Sequence, residues 1–275
     1  MLLQLTAAHV PAATALLGRA GLASGVANFA RYLQWQSDCA WGLFEGESLI
    51  GIVTLLRFGI VGFVGCMAVE PQRQGGGHGR RLLDHAHGEG ERHGVATFLL
   101  EATLAGELLY GRCGYVSERV SVVLERKAER DATSGDPRRG DEAIATAGAP
   151  IDAGLFSLDQ EATGSDRGTM LWGLSHETPV ELMRATSGEL HAFGMRVGTR
   201  LGPLVCRDAS AGRELVARLE PGCGVTGVAE RNEAAIAAYE EHGFAQSRHL
   251  RRMRRGPVIP SRPSWIWAMA SAGSG

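Results

Sequence analysis

Apolar and polar positions divide the first half of the chain into short alternating elements. Leu2–Leu5 reads as a short strand leading into a helix over Val10–Ala20. Two apolar runs, Ala40–Phe44 and Leu49–Phe58, meet around Gly46, the signature of a hairpin. Phe63–Val69 predicts a further strand, Gly79–His93 a helix stopped by Gly94, and Val95–Leu100 a buried strand. A short helix over Gly106–Arg112 and a partly alternating strand over Tyr115–Leu124 complete the series. The order implies an α+β fold built on a mixed sheet.

A shift of 129 residues brings out an internal repeat. LLYGRCGY (Leu108–Tyr115) falls on AAYEEHGF (Ala237–Phe244), so Tyr110 meets Tyr239 and Gly114 meets Gly243. Upstream, Glu101 meets Glu230 and Thr103 meets Asn232. Between the copies, residues 127–150 lose any apolar period and read as a linker, giving domains over 1–126 and 151–275. At the same shift, RQGGGHGRRLLDHA falls on GPLVCRDASAGREL: a helix persists as Ala209–Leu219, and the glycines do not. Glycines needed only for the fold should recur in both copies, so their loss points to a ligand held by the first copy alone.

Composition narrows the classes. A formal net charge of −2 on 275 residues offers no global field for nucleic acid or an anionic membrane. Lys127 is the only lysine, so local positive charge comes from arginine. The cysteines, Cys39, Cys66, Cys113, Cys206 and Cys223, are odd in number and lack metal-ligand spacing, which fits reduced thiols in a cytoplasmic protein without a bound metal. The apolar opening MLLQLTAAHVPAATALL has no basic residue before Arg19 and is read as strand and helix rather than a leader. No run reaches the roughly 18 apolar residues of a membrane span. RHLRRMRRG (Arg248–Gly256) lacks the interleaved aromatics of a nucleic-acid surface and is read as a solvated strand. WIWAMA near the end is read as a strand or tail packing on the second copy.

The richest motif is VEPQRQGGGHGRRLL (Val69–Leu83). A dinucleotide G-x-G-x-x-G fails because Arg80 stands where the third glycine belongs, and an NTP loop fails for want of its lysine. What remains is a strand, then Gln74, Gly75, Gly76, Gly77, His78 and Gly79, then a helix beginning with Arg80. Bare backbone lets successive N–H groups converge on an anion, and a helix N-terminus adds unsatisfied donors, a pyrophosphate nest.

These residues resemble the GCN5-related N-acetyltransferase (GNAT) superfamily, whose acetyl-CoA loop has the form [QR]-x-x-G-x-[GA]. Tyr110, Gly114 and Tyr115 match its later tyrosine–glycine–aromatic motif. LEATLAGELLYGRCGY, SLDQEATGSDRGTML with Asp159 and Arg167, and LGPLVCRD are similar to bacterial members with a degenerate second domain. Departures fall on the acceptor side: Glu101 replaces an aspartate, Leu104 a proline, and AGL at Ala20–Leu22 stands for A-G-W.

The resemblance implies tandem GNAT-like domains, each a mixed sheet flanked by helices, with one acetyl-CoA lying between splayed strands of the first. The pantetheine arm would pair with main chain near Met67 and Val69, and the pyrophosphate would rest on Gln74, Gly75, Gly76, Gly77, His78, Gly79 and Arg80. Tyr110 would protonate the departing thiolate, or simply pack. Many relatives carry a basic carboxylate on the central strand, which here has none, Glu70 lying past it; Glu101 would bind the acceptor ammonium or cap a turn, and the base would act through ordered water. The expected activity is acetylation of a primary amine, small-molecule acceptors being favoured, by a monomer or weak homodimer. A non-catalytic acyl-CoA sensor and a protein or peptide N-acetyltransferase are the alternatives.

Overall fold

The computed structural model describes residues 1–126, 151 and 153–275. The linker expected over 127–150 lies outside the described residues. The first half runs β1 (Leu2–Gln4), α1 (Val10–Arg19), α2 (Ala23–Trp35), β2 (Ala40–Glu45), β3 (Ser48–Phe58), β4 (Val61–Val69), α3 (His78–Arg92), β5 (Thr97–Ala102), α4 (Glu107–Arg112) and β6 (Val116–Arg126). The second runs α5 (Ala153–Thr163), α6 (Gly168–Glu177), β7 (Val180–Arg184), β8 (Leu190–Val197), β9 (Arg200–Cys206), α7 (Ala209–Leu219), β10 (Val225–Ala229), α8 (Glu233–Glu241), β11 (Phe244–Arg255) and β12 (Ile266–Ala268). No described helix is long and apolar enough to cross a membrane.

Local sequence accounts for most of these elements. In α3, Leu82, Leu83, Ala86, His87 and Gly90 form one buried stripe at helical spacing. β3 is buried along nearly its whole length, and its continuous run LIGIVTLL matches a strand covered on both faces. α2, by contrast, has no counterpart in the expectations above. Its core residues Phe29, Tyr32 and Leu33 lie at i, i+3 and i+4, a period available in the sequence but masked by the small residues of ASGVAN.

The two mixed sheets are one. The described strands follow the order β1-β2-β3-β4-β5-β11-β6-β10-β9-β8-β7, with β12 beside β9. β11, from the second copy, inserts between β5 and β6 and is antiparallel to both. β6, from the first copy, is in turn the neighbour of β10. Each copy thus supplies the last strand of the other, and neither leaves an open edge at the junction. One core cluster accordingly spans both halves, from Leu16 and Tyr32 to Phe193 and Met269. This corrects the reading of RHLRRMRRG as a solvated strand: Leu250, Arg252 and Met253 are buried in the middle of the sheet.

The end of the chain is also structural. After β12 the backbone turns back to the first copy, where Ser271 and the Tyr32 hydroxyl share a 2.7 Å hydrogen bond. Arg167 grips Asp159 through Nε at 2.9 Å and Nη2 at 2.5 Å, and its Nη1 donates to the Gly275 carbonyl at 2.7 Å. The Asp159 and Arg167 noted in the sequence therefore anchor this segment.

Candidate functional site

The site begins where two parallel strands part. β4 and β5 are in register only at Val61↔Thr97, Gly62↔Phe98 and Phe63↔Leu99, although β4 continues to Val69 and β5 to Ala102. Beyond Phe63, the β5-facing edge of β4 has no strand beside it. Opposite this edge, the β3–β4 register slips between Ile52↔Ala68 and Thr54↔Gly65, so Cys66 and Met67 together face Val53. This is a bulge, and Cys66 takes φ 44°, the one non-glycine residue with positive φ among those described. Such a conformation costs on the order of 1–3 kcal/mol and concentrates at functional positions.

The opening leads to a cleft of about 560 Å³ bounded by Met67, Val69, Gln74, Gly75, Gly77, His78, Gly79, Arg80 and Tyr110. Of the loop residues expected to hold a ligand, Gly76 alone is absent from its wall. The glycines have separate reasons. Gly75 and Gly77 adopt φ 82° and 78°, where side-chain-bearing residues are disfavoured. At Gly79 a Cβ would meet Leu109 at 3.0 Å and Met67 at 3.3 Å, so this glycine lets α3 approach α4. Gln74 Nε2 donates to the Val69 carbonyl at 3.1 Å and ties the loop to the strand it leaves. Gly77 is the N-cap of α3 and provides no side-chain acceptor, so the first amides of the helix face the cleft without a protein cap. Arg80 is exposed and loosely paired with Asp84 at 3.5 Å, while Arg73 is paired with Glu45.

The second copy is built differently at the corresponding place. Residues 70–77 separate β4 from α3, but only Arg207 and Asp208 separate β9 from α7. The second copy has no such loop, and the gap-free repeat offset, which laid GPLVC on the glycines, is out of register here: GPLVC lies on β9. Asp208 caps α7, accepting from Ser210 N at 2.8 Å and Ala211 N at 2.9 Å. These amide bonds hold its carboxyl below the usual range, helped by His191. The strand gap is filled as well. β12 pairs with β9 at Ile266↔Val205 and Ala268↔Leu204, and Met269 N donates to the Gly227 carbonyl of β10 at 2.8 Å.

Behind the cleft, an inner pocket of about 140 Å³ opens between the α1–α2 turn, the β4 bulge, β11 and the final segment. Tyr110 lines both spaces. Burial raises its pKa well above that of a free phenol, so its hydroxyl carries a proton at any physiological pH. Glu101 borders the inner pocket through its main chain, and its side chain behind that wall is 0% exposed. Its Oε1 accepts from Arg252 Nε at 2.7 Å and from Ser121 Oγ at 3.1 Å, whereas Oε2 is buried without a partner. Arg252 is in turn held over the Phe63 ring at 4.9 Å. Glu70, just past the end of β4, is paired with Arg19 at 2.8 Å. Cys66 is pushed up to about 12 by burial and is a packed thiol rather than a thiolate.

The structure therefore brings Met67, Val69, the loop, Arg80, Tyr110 and Glu101 around two connected spaces. Sequence reasoning missed Arg252, Arg248 and Leu250 of β11, Gly25 of α2, and Ala272 and Gly273 of the final segment, all beside Glu101 or lining the inner pocket. No local signal marks them. They become neighbours through strand exchange across the two halves.

Two family models, each described as an acetyltransferase (GNAT) domain, match residues 36–117 and 155–268. The chain belongs to the GNAT acetyltransferases as a two-domain member. Among solved structures it is similar to a candidate acetyltransferase from Pyrococcus horikoshii, at 20% identity and TM-score 0.84, over 100% of this chain and 95% of that one. A GCN5-related N-acetyltransferase from Sphaerobacter thermophilus matches at 16% identity and TM-score 0.63, over 95% and 98%. A tandem GNAT protein from the clavulanic acid biosynthesis pathway matches at 16% identity and TM-score 0.58, over 94% and 99%. At these identities the likeness is one of fold. No curated protein matches the chain.

Proposed function

We propose that this protein transfers an acetyl group from acetyl-CoA to the primary amine of a small molecule, by direct attack within a ternary complex in the first copy. The observation that carries this reading is the continuity of an anion-ready cleft with a small inner pocket at Tyr110. The open edge of β4 near Met67 and Val69 offers main chain to a pantetheine arm as to an added strand. The uncapped turn from Gly75 to Arg80 offers donors to the pyrophosphate. Gln74 and Gly79 act indirectly, the first by fixing the loop and the second by admitting α4. Gly76 spaces the two left-handed glycines, and His78 contributes backbone as the first residue of α3.

The amine enters the inner pocket in front of the buried Glu101 carboxylate and directs its lone pair toward the thioester. A main-chain N–H at the Cys66–Met67 bulge stabilises the charge that develops on the carbonyl oxygen. As the C–N bond forms and the C–S bond breaks, Tyr110 donates its proton to sulfur, and the proton lost by the amine returns to the tyrosine through pocket solvent. The small size of the inner pocket, about 140 Å³, supports a small acceptor over a protein segment. The second copy, self-capped by Asp208 and filled by β12, has a shaping role.

The test is free-thiol release from acetyl-CoA across amino acids, aliphatic amines, polyamines, aminoglycosides and peptide N-termini. Release with a small amine supports the reading. Tight CoA binding with release at the solvent rate for every amine would leave a sensor.

A further inference from the structure

A third space lies at the junction of the two copies. It is a cavity of about 460 Å³ between α2, the β8–β9 turn and β11, and it shares Ser24 with the inner pocket. Acetyl transfer as proposed above does not use it. Arg200, the first residue of β9, borders it from the second copy and is half-buried. Its Nε donates to the Ala270 carbonyl at 2.9 Å, and a Cβ at Gly227 would come within 3.5 Å of its Nη2. Neither terminal nitrogen has a hydrogen-bond or carboxylate partner among the described residues, and neither is sealed from solvent.

Arg167 and Arg252 are also withdrawn from solvent, and each holds a carboxylate, Asp159 at 2.5 Å and Glu101 at 2.7 Å. Around Arg200 the balance is reversed. Burial lowers its pKa, the Tyr32 and Tyr239 phenols offset this in part, and the formal charge that bears on it is another cation, the exposed Arg248. A guanidinium drawn out of water without a counter-charge is a cost that a bound anion relieves. The rest of the wall sets the charge and shape of that anion. Arg31 is neutralised by Glu177 at 2.7 Å, and Glu125 is exposed and unpaired. Set against Arg200 and Arg248, Glu125 leaves one positive charge over, which suits a monoanion. Trp35, Leu174 and Val225 add apolar wall.

We propose that the junction cavity is a second ligand site, taking an organic monocarboxylate with an apolar body, its carboxylate in the free fork of Arg200. The fork is preorganised. The bond from Nε to Ala270 fixes the guanidinium plane, while Nη1 and Nη2 remain to donate side by side to two carboxylate oxygens. The volume is that of a small-molecule site. Both copies build it, α2 from the first and β9 and β10 from the second, so the site exists only in the joined sheet. The second copy then has a task of its own: it carries the arginine that holds this ligand beside the inner pocket.

The experiment compares benzoate with its uncharged counterpart benzamide by titration calorimetry, on the protein alone and with CoA present, since an anion could also settle in the glycine loop. Benzoate is expected to bind once per chain, about tenfold more tightly than benzamide, the worth of one charge-assisted contact, and equally well with CoA present. Arg200→Gln should bring benzoate down to the level of benzamide. Ala27→Glu, at an exposed position of α2 on the cavity wall, adds a negative charge without disturbing the core and should weaken benzoate alone; it decides the matter if Arg200→Gln does not fold. Equal binding of the two probes, no binding of benzoate, displacement of benzoate by CoA, or a preference that survives either substitution would each overturn the inference. Failure of CoA to bind would sink acetyl transfer and leave this site standing.

Discussion

Arg252 Nε donates to Glu101 Oε1 at 2.7 Å, joining positions 151 residues apart with side chains that are 7% and 0% exposed. The contact closes the central sheet between β5 and β11 and at the same time fixes the carboxylate behind the wall of the inner pocket. A buried ion pair of this kind is costly to break from one side, because the remaining charge stays desolvated.

Arg252→Met is therefore expected to lower unfolding free energy by about 3 kcal/mol or more, and Glu101→Gln combined with it should recover most of the loss. Urea unfolding of the three proteins measures this. A single variant within about 0.5 kcal/mol of wild type would mean the pair does not bind the halves together.

Gly77→Ala should cost about 1 kcal/mol of stability, since φ 78° disfavours a Cβ, yet keep CoA affinity within several-fold. Gly77→Glu places a carboxylate at the uncapped N-terminus of α3, and titration calorimetry should detect no CoA binding. Unchanged affinity in the glutamate variant would remove the loop from the cofactor site.

Tyr110→Phe should lower kcat by about 10²–10⁴-fold, the usual worth of a positioned acid, with CoA affinity retained. Tyr239 occupies the equivalent place in the second copy and is also buried, at 0% exposure against 9% for Tyr110, so Tyr239→Phe serves as the packing control and should leave kcat unchanged. Full turnover by Tyr110→Phe would make both tyrosines core residues.

Asp208→Ala removes the cap of α7 and is expected to cost about 1 kcal/mol at neutral pH. Its carboxyl is depressed in the folded state, so this stabilisation holds above the unfolded value of about 3.9 and is lost as pH falls through the folded one. CoA stoichiometry should stay at one per chain, because β12 still fills the gap between β9 and β10. A second binding event in the variant would contradict the self-filled second copy.

His87 is buried beside Phe98 and shares a 2.8 Å hydrogen bond with the Tyr115 hydroxyl. Burial, with Arg255 nearby, lowers its pKa to about 4. Above the unfolded value of about 6.5 the ring is neutral in both states and contributes no pH dependence. Between there and about 4 the unfolded chain binds a proton that the folded chain refuses, so stability should fall with falling pH, by at most about 3 kcal/mol. His87→Gln should flatten this limb when urea midpoints are compared at neutral and mildly acidic pH; an unchanged slope would assign it to other groups.

The sequence by itself determined the elements whose signals are local. The stripe of α3, the buried run of β3, the hairpin at Gly46 and the helix Ala209–Leu219 follow from apolar period and turn residues over short windows. The loop was legible because left-handed backbone and close helix approach demand glycine wherever they occur. Tertiary structure alone decided which strand lies beside which. Alternation along β6 and β11 specifies which face is buried but not whose edge is paired, and two copies of one fold present interchangeable edges. Strand exchange chose the partners. With them came the bond of Arg252 to Glu101 and the use of β12 to fill the cleft of the second copy, both contacts between residues too distant in sequence to leave a local mark.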